Sequence, residues 1–306
     1  MDQYGNGYSK YKDIQINRYK ETDDSSEGIK FYIKNIRNKK IWTNTYSANM
    51  EKPDKYNIIF SPESDKIIRT DENIQTITKT IIDTDSPVEI RRVELKNTGN
   101  IEEILEVTGF IEPILSNRMQ DYAHRAFNNL FLSYEYIEAI NTVLVKRKAH
   151  SNNEKDFYMA VNLYTQENII GDIEYEIDKE KFFGRCNYKI PKEVENSMPF
   201  TKKIGYTLDP IVAIKNTVKI RPEETIYMDL IISVGEEKEN VIKNLVKFMN
   251  NENIKRTFEL LKAKNEAENR YLGIKGKDIE VYQKMLSYLL FSPKVSIKKN
   301  YNNENN

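Results

Sequence analysis

Apolar and polar residues alternate along much of the chain between about residues 10 and 235, and that period predicts β-strands. In IKFYIKNI at 29–36, Ile29, Phe31 and Ile33 fall on one face. KYNIIFS at 55–61 and TITKTIID at 76–83 are β-branched and aromatic runs of the kind strands favour. Further strands are expected at 157–164, 204–220 and 225–235. The segment from Val88 to Leu115 has the clearest pattern. Val88 and Ile90 share a face, and Val93 and Leu95 share one that is out of phase by a residue. A bulge at Arg91–Arg92 would restore the register. Asn97-Thr98-Gly99-Asn100 signals a turn, after which Leu105, Val107, Gly109 and Ile111 alternate again, so the segment reads as a hairpin. Many strands, few helices and frequent turns together predict an antiparallel β-sandwich.

The period changes at Gly235. Val241, Leu245 and Phe248, then Ile254, Phe258 and Leu261, follow helical spacing until Gly273 and Gly276 interrupt it. KDIEVYQKMLSYLLFSP predicts a second amphipathic helix, with Ile279, Tyr282, Met285, Leu286 and Leu289 on one stripe and Pro293 beyond its end. The expected organisation is a β domain over 1–235, a helical linker over 236–293 and a disordered polar tail over 294–306. An apolar stripe has to be buried against something. The helix either folds back on the sandwich or meets a following domain.

Charge narrows the function. The 306 residues carry 47 Lys+Arg and 47 Asp+Glu, so the formal net charge is zero, and no basic domain argues for nucleic acid as partner. One cysteine, Cys186, rules out an intramolecular disulfide framework. With only His124 and His150 beside it, no zinc site of the usual kind is expected. No signal-peptide pattern opens the chain, and no run approaches the ~20 apolar residues that span a bilayer. The expectation is a cytoplasmic protein with no membrane segment.

Two segments look able to carry chemistry. The opening GNGYSKYKDIQINRYK packs glycines, tyrosines and basic residues together from Gly5. Its Gly-x-Gly has no preceding strand and no following helix, so a dinucleotide loop is disfavoured. A tight turn displaying Tyr8 and Ser9 is the better reading. In MQDYAHRAFNNLF at 119–131, Asp121 and His124 are three residues apart, beside Arg125, Asn128 and Asn129. An Asp can orient a His for acid–base work. The structural alternative has Asp121 capping a short turn and His124 buried and hydrogen-bonded. There is no Gly-x-Ser-x-Gly nucleophile motif. The 20 tyrosines suit sugar stacking and suit strands equally. RNKK at 37–40 and VKRK at 145–148 read as solvated turns.

The opening GNGYSKYKDIQINRY resembles the GGGYSxYRDxxxxRxxRY-type start of glycoside hydrolase family 94, the cellobiose and β-1,2-oligoglucan phosphorylases. It is closer still to the phosphorylase-like part of cyclic β-1,2-glucan synthases. The similarity runs in order through KIW with Trp42, KYNIIFSPESDKIIRTD, SPVEIRRVELKNTGN, LEVTGFIEPILS, DYAHRAFNNLF, FFGR and LDPI, and closes on LGIKGKDIEVYQKMLSYLLFSP. His124-Arg125-Ala126-Phe127 stands where the family often has His-Pro-Ala-Phe, and Gly184-Arg185-Cys186 where it often has Gly-Arg-Gly. The resemblance implies a supersandwich, a large two-sheet antiparallel β domain of the carbohydrate-binding, galactose-mutarotase-like type, followed by a helical linker and then an (α/α)6 barrel.

It also implies that catalysis is elsewhere. The family's acid and phosphate-holding residues lie on the barrel, and no DWND-like segment occurs here, so no catalytic residue is assigned. The expected role is a non-catalytic carbohydrate-binding and assembly domain, a truncated or split part of such an enzyme. The alternatives are one chain of an active inverting phosphorylase and a relict without function. Asn6, Tyr8, Ser9 and Tyr11, with Asp121 and His124, are the candidate substrate-binding residues. The expected partners are a β-glucan oligosaccharide, the barrel as domain or separate chain, and a second copy in a homodimer. No cofactor is expected beyond phosphate as co-substrate of the complete enzyme.

Overall fold

The computed structural model describes residues 1, 4–19, 28–46, 50–61, 63–150, 154–185 and 190–290. The strands in chain order are β1 (Lys10–Tyr11), β2 (Ile14–Asn17), β3 (Lys30–Asn35), β4 (Ile41–Thr43), β5 (Lys55–Phe60), β6 (Asp65–Asp71), β7 (Ile74–Ile82), β8 (Val88–Asn97), β9 (Glu103–Ile111), β10 (Pro113–Ser116), β11 (Leu132–Ile137), β12 (Thr142–Arg147), β13 (Phe157–Tyr164), β14 (Glu174–Asp178), β15 (Pro210–Ile220) and β16 (Thr225–Gly235). They form an eight-stranded sheet ordered β11-β12-β13-β16-β8-β7-β6-β5, a five-stranded sheet ordered β14-β15-β9-β3-β4, and a small sheet ordered β1-β2-β10. Every pairing of these strands is antiparallel.

The two large sheets face each other across one core. Phe31 and Ile33 from β3, Leu105 and Val107 from β9, Val93 and Leu95 from β8, and Leu230 from β16 are all buried in it. The sheets approach closely at Gly109, where a Cβ would sit 2.9 Å from Leu230 Cδ1. That spacing explains a glycine in the middle of a strand.

The segment from Val88 to Leu115 is a chain of two strands but not a hairpin. β8 pairs with β7 and β16 in the larger sheet. β9 pairs with β3 and β15 in the smaller one. The Asn97–Asn100 turn therefore carries the chain from one sheet to the other. Alternation identifies which face is buried, not which strand lies alongside, and two strands facing each other across a core share the same pattern. The expected bulge at Arg91–Arg92 is also absent, because β8 keeps continuous register with both neighbours through those residues. The phase change has another cause. Val88 and Ile90 point away from the sandwich interior and are covered by a helix.

That helix is α5 among the described residues, whose α-helices are α1 (Arg118–Ala123), α2 (Arg125–Asn129), α3 (Lys179–Phe183), α4 (Lys192–Glu195), α5 (Lys238–Phe248), α6 (Asn251–Leu272) and α7 (Gly276–Leu290). Val241, Leu245 and Phe248 of α5, with Ile254 of α6, pack on Ile81, Val88, Ile90 and Ile231. On the opposite side, α3 and α4 cover the five-stranded sheet, with Phe182, Phe183 and Val194 against Tyr32 and Phe110. The stripe of α7 does not become buried by folding back: α7 passes beside edge strand β5, yet Leu289 is 79% exposed and Tyr282, Met285 and Leu286 are exposed too. The polar tail expected at 294–306 lies outside the described residues.

Candidate functional site

The opening segment is held in place by its own polar groups. Gly5 has φ +80°, and a Cβ there would lie 2.6 Å from Ile67 Cδ1, so the turn admits only glycine without strain. Asn17 on β2 closes the loop: its Nδ2 donates to Gly7 O (3.1 Å) and its Oδ1 accepts from Ser9 N (2.8 Å). The Ser9 hydroxyl donates to Glu89, whose other oxygen accepts from Arg91. Of the four candidates here, Asn6 is buried and Tyr8 is exposed. Tyr8 lies against the Tyr19 ring and under the Arg118 guanidinium, which is 5.7 Å from its centroid. Tyr11 packs on Phe157, centroids 6.1 Å apart.

Asp121 does not orient His124. It is buried on α1 and takes a two-pronged hydrogen bond from Arg18, Nε to Oδ2 at 2.9 Å and Nη2 to Oδ1 at 2.6 Å. Asn117, not Asp121, caps the turn, accepting from Met119 N. Arg18 also donates to Glu112 (2.7 Å) and Asn129 (2.8 Å). Glu112 is fully buried and takes two further cations, Arg125 and Lys179, at 2.6 and 2.7 Å. Burial alone would raise the Glu112 carboxyl, but Lys179, Arg18 and Arg125 hold it below the usual glutamate value. Burial likewise works against the Arg18 charge, and Asp121 and Glu112 outweigh it. Such a cluster is stable only while every charge keeps its partner. His124 is exposed at the end of α1 rather than buried.

The opening segment and the 119–131 segment then meet at a cleft. Its larger part, about 420 Å³, is lined by Asp13 and Ile14 from the opening, Ser116 to Gln120 in part, Lys155, Phe157 and Glu236. Its smaller part, about 170 Å³, is lined by His124, Phe127, Phe131 and His150. Gln120, Arg147 and Glu154 line both. The Phe127, Phe131 and His150 rings pack edge to face, with centroids 5.1–5.6 Å apart. VKRK is therefore not a solvated turn: Arg147 ends β12, only 8% exposed. Its Nη1 donates to Asn128 Oδ1 (2.6 Å), and its guanidinium stands 5.5 Å from the Phe131 centroid. Asn128 in turn donates to Asp121, which ties the cleft to the ionic cluster.

Arg18, Glu112 and Arg147 escaped the sequence reading. The available signal was charge inside apolar runs, as in FIEPIL around Glu112. Among the described residues no group of three or more His, Cys, Asp or Glu side chains is placed to hold a metal ion. No helix among them is long and apolar enough to cross a membrane.

Two large antiparallel sheets packed face to face, with helices after the last strand, define a β-supersandwich. The chain belongs to the glycosyl hydrolase 94 supersandwich domain family, whose model matches residues 1–251. It is 22% identical over 293 residues to the cyclic β-(1,2)-glucan synthase NdvB of Rhizobium meliloti (strain 1021), covering 94% of this chain and 10% of that protein. Among solved structures, a bacterial glucoamylase complexed with acarbose matches with TM-score 0.53 and 13% identity, over 93% of this chain and 38% of the other. The chain thus spans a minor part of both relatives.

Proposed function

We propose that this domain binds β-glucan and docks a catalytic domain, and carries no catalysis itself. The cleft where the opening segment meets α1 and α2 is the observation that carries this reading. It combines aromatic walls with hydrogen-bonding groups of both kinds, as sugar recognition requires. The buried acids beneath the cleft support a non-catalytic role. Asp121 and Glu112 are locked in ion pairs, so neither is poised to give a proton to a glycosidic oxygen. Catalysis then falls to the family's (α/α)6 barrel, with phosphate as its co-substrate in a phosphorylase.

The exposed stripe of α7 favours a second reading, in which this is one chain of an inverting phosphorylase and the barrel docks as a separate chain. The purified chain should bind linear β-1,2-glucans in calorimetry and comigrate with a supplied family barrel in gel filtration. Failure of both rejects the proposal. Release of α-glucose 1-phosphate by the chain alone, given glucan and phosphate, refutes its non-catalytic character.

A further inference from the structure

We infer that Arg147 is the centre of a sugar-ring subsite in the smaller cavity, an assignment that rests on the carbohydrate-binding reading. A buried guanidinium normally meets a carboxylate. Arg147 is 8% exposed, and among the described residues no carboxylate lies within ion-pairing distance of it. Among the described residues its hydrogen bond goes to the neutral Asn128. Arg147 lines both parts of the cleft, where ligand oxygens are natural acceptors for guanidinium N–H groups. Burial disfavours the charge and lowers the pKa of Arg147 from its ordinary value, against the opposing pull of Glu154 and Asp121.

The rest of the pocket selects the ligand class. Phe127, Phe131 and His150 supply apolar ring faces for the C–H side of a pyranose. Glu154 supplies a carboxylate acceptor for ring hydroxyls. The lining carboxylates Asp13, Glu154 and Glu236 outnumber the cations Arg147 and Lys155, so an anion is disfavoured. A neutral polyol satisfies all three kinds of group at once. The larger cavity alone, about 420 Å³, lies within the ~300–1,000 Å³ span of small-molecule sites. It continues the smaller one, so the fitting ligand is an oligosaccharide.

The test titrates the full chain with linear β-1,2-linked glucotetraose by calorimetry, alongside Arg147→Met and Phe127→Ala. Phe127 is half exposed, so its loss spares the fold. Both variants should weaken binding at least about tenfold. Arg147→Met should keep or raise the denaturation midpoint, because it removes a buried charge that Glu154 and Asp121 offset only in part. Tetraose binding unchanged in both variants would overturn the subsite and leave carbohydrate binding standing. Absence of any binding to the wild-type chain would overturn both. Competition by inorganic phosphate at the cleft would overturn the neutral-ligand assignment.

Discussion

The sharpest quantitative prediction concerns Glu193. It lies on α4, and is 5% exposed. Its Oε2 has no hydrogen-bond partner among the described residues. Burial first, then the charges of Glu176 and Glu174 on β14, push its carboxyl up from 4.5 to about 8, against the opposing pull of Lys215 and Lys181. The folded state therefore holds a proton between those values that the unfolded chain has already released. Stability falls as pH rises through that window and levels off above it. At about 1.4 kcal/mol per pH unit, the window sets a ceiling of about 5 kcal/mol. Solvent relaxation around a group at the edge of a helix brings the working figure to about 2–3 kcal/mol. Glu193→Gln keeps the shape and cannot ionise. It should match the wild type near pH 4 and exceed it by about 2–3 kcal/mol at pH 9. Urea unfolding at a series of pH values reads this directly, because the single tryptophan, Trp42, is buried in the core and reports unfolding by fluorescence. All other titrating groups are common to both proteins and cancel in the difference. Parallel stability–pH curves for the two proteins would refute the reasoning.

Three further outcomes follow from the packing. Arg18→Met leaves Asp121 and Glu112 buried without their shared cation, and should cost about 3–5 kcal/mol in denaturant unfolding. Gly109→Val places a branched side chain where even a Cβ meets Leu230 at 2.9 Å; it should cost about 1–3 kcal/mol, with part recovered in a Gly109→Val, Leu230→Ala double variant. Met285→Lys with Leu289→Lys, both on the exposed stripe of α7, should change the stability of the chain by no more than about 0.5 kcal/mol while abolishing comigration with a supplied barrel in gel filtration.

The faces of the strands were legible in the sequence, and their partners were not. Ile29, Phe31 and Ile33 do enter the shared core, as their alternation implies. The same kind of alternation in β8 and β9 suggested a hairpin because a tight turn joins them. Their apolar faces are opposed across the sandwich, and nothing in a period of two distinguishes that from pairing within a sheet. The phase break at Arg91–Arg92 was real information about a second covered face. Only the position of α5, about 150 residues further along the chain in sequence order, gives it that meaning.

At the cleft, the two segments singled out meet in the fold, but through contacts their spacing did not suggest. The opening segment and the 119–131 segment touch through Arg18 and Asp121, which are 103 residues apart. Spacing three residues apart along a helix drew attention to Asp121 and His124, but a carboxylate takes the strongest donor within reach, and the guanidinium of Arg18 offers two parallel N–H groups. His124 is left at the surface as a result. A net charge of zero reveals nothing about this arrangement, because pairs that cancel in a count can be fully buried in the fold. Arg147 is the informative exception. Its hydrogen-bond partner among the described residues is neutral, and Phe131, Glu154 and Asp121 offset its burial only in part; that imbalance directs attention to the cleft rather than to the more heavily paired cluster beneath it.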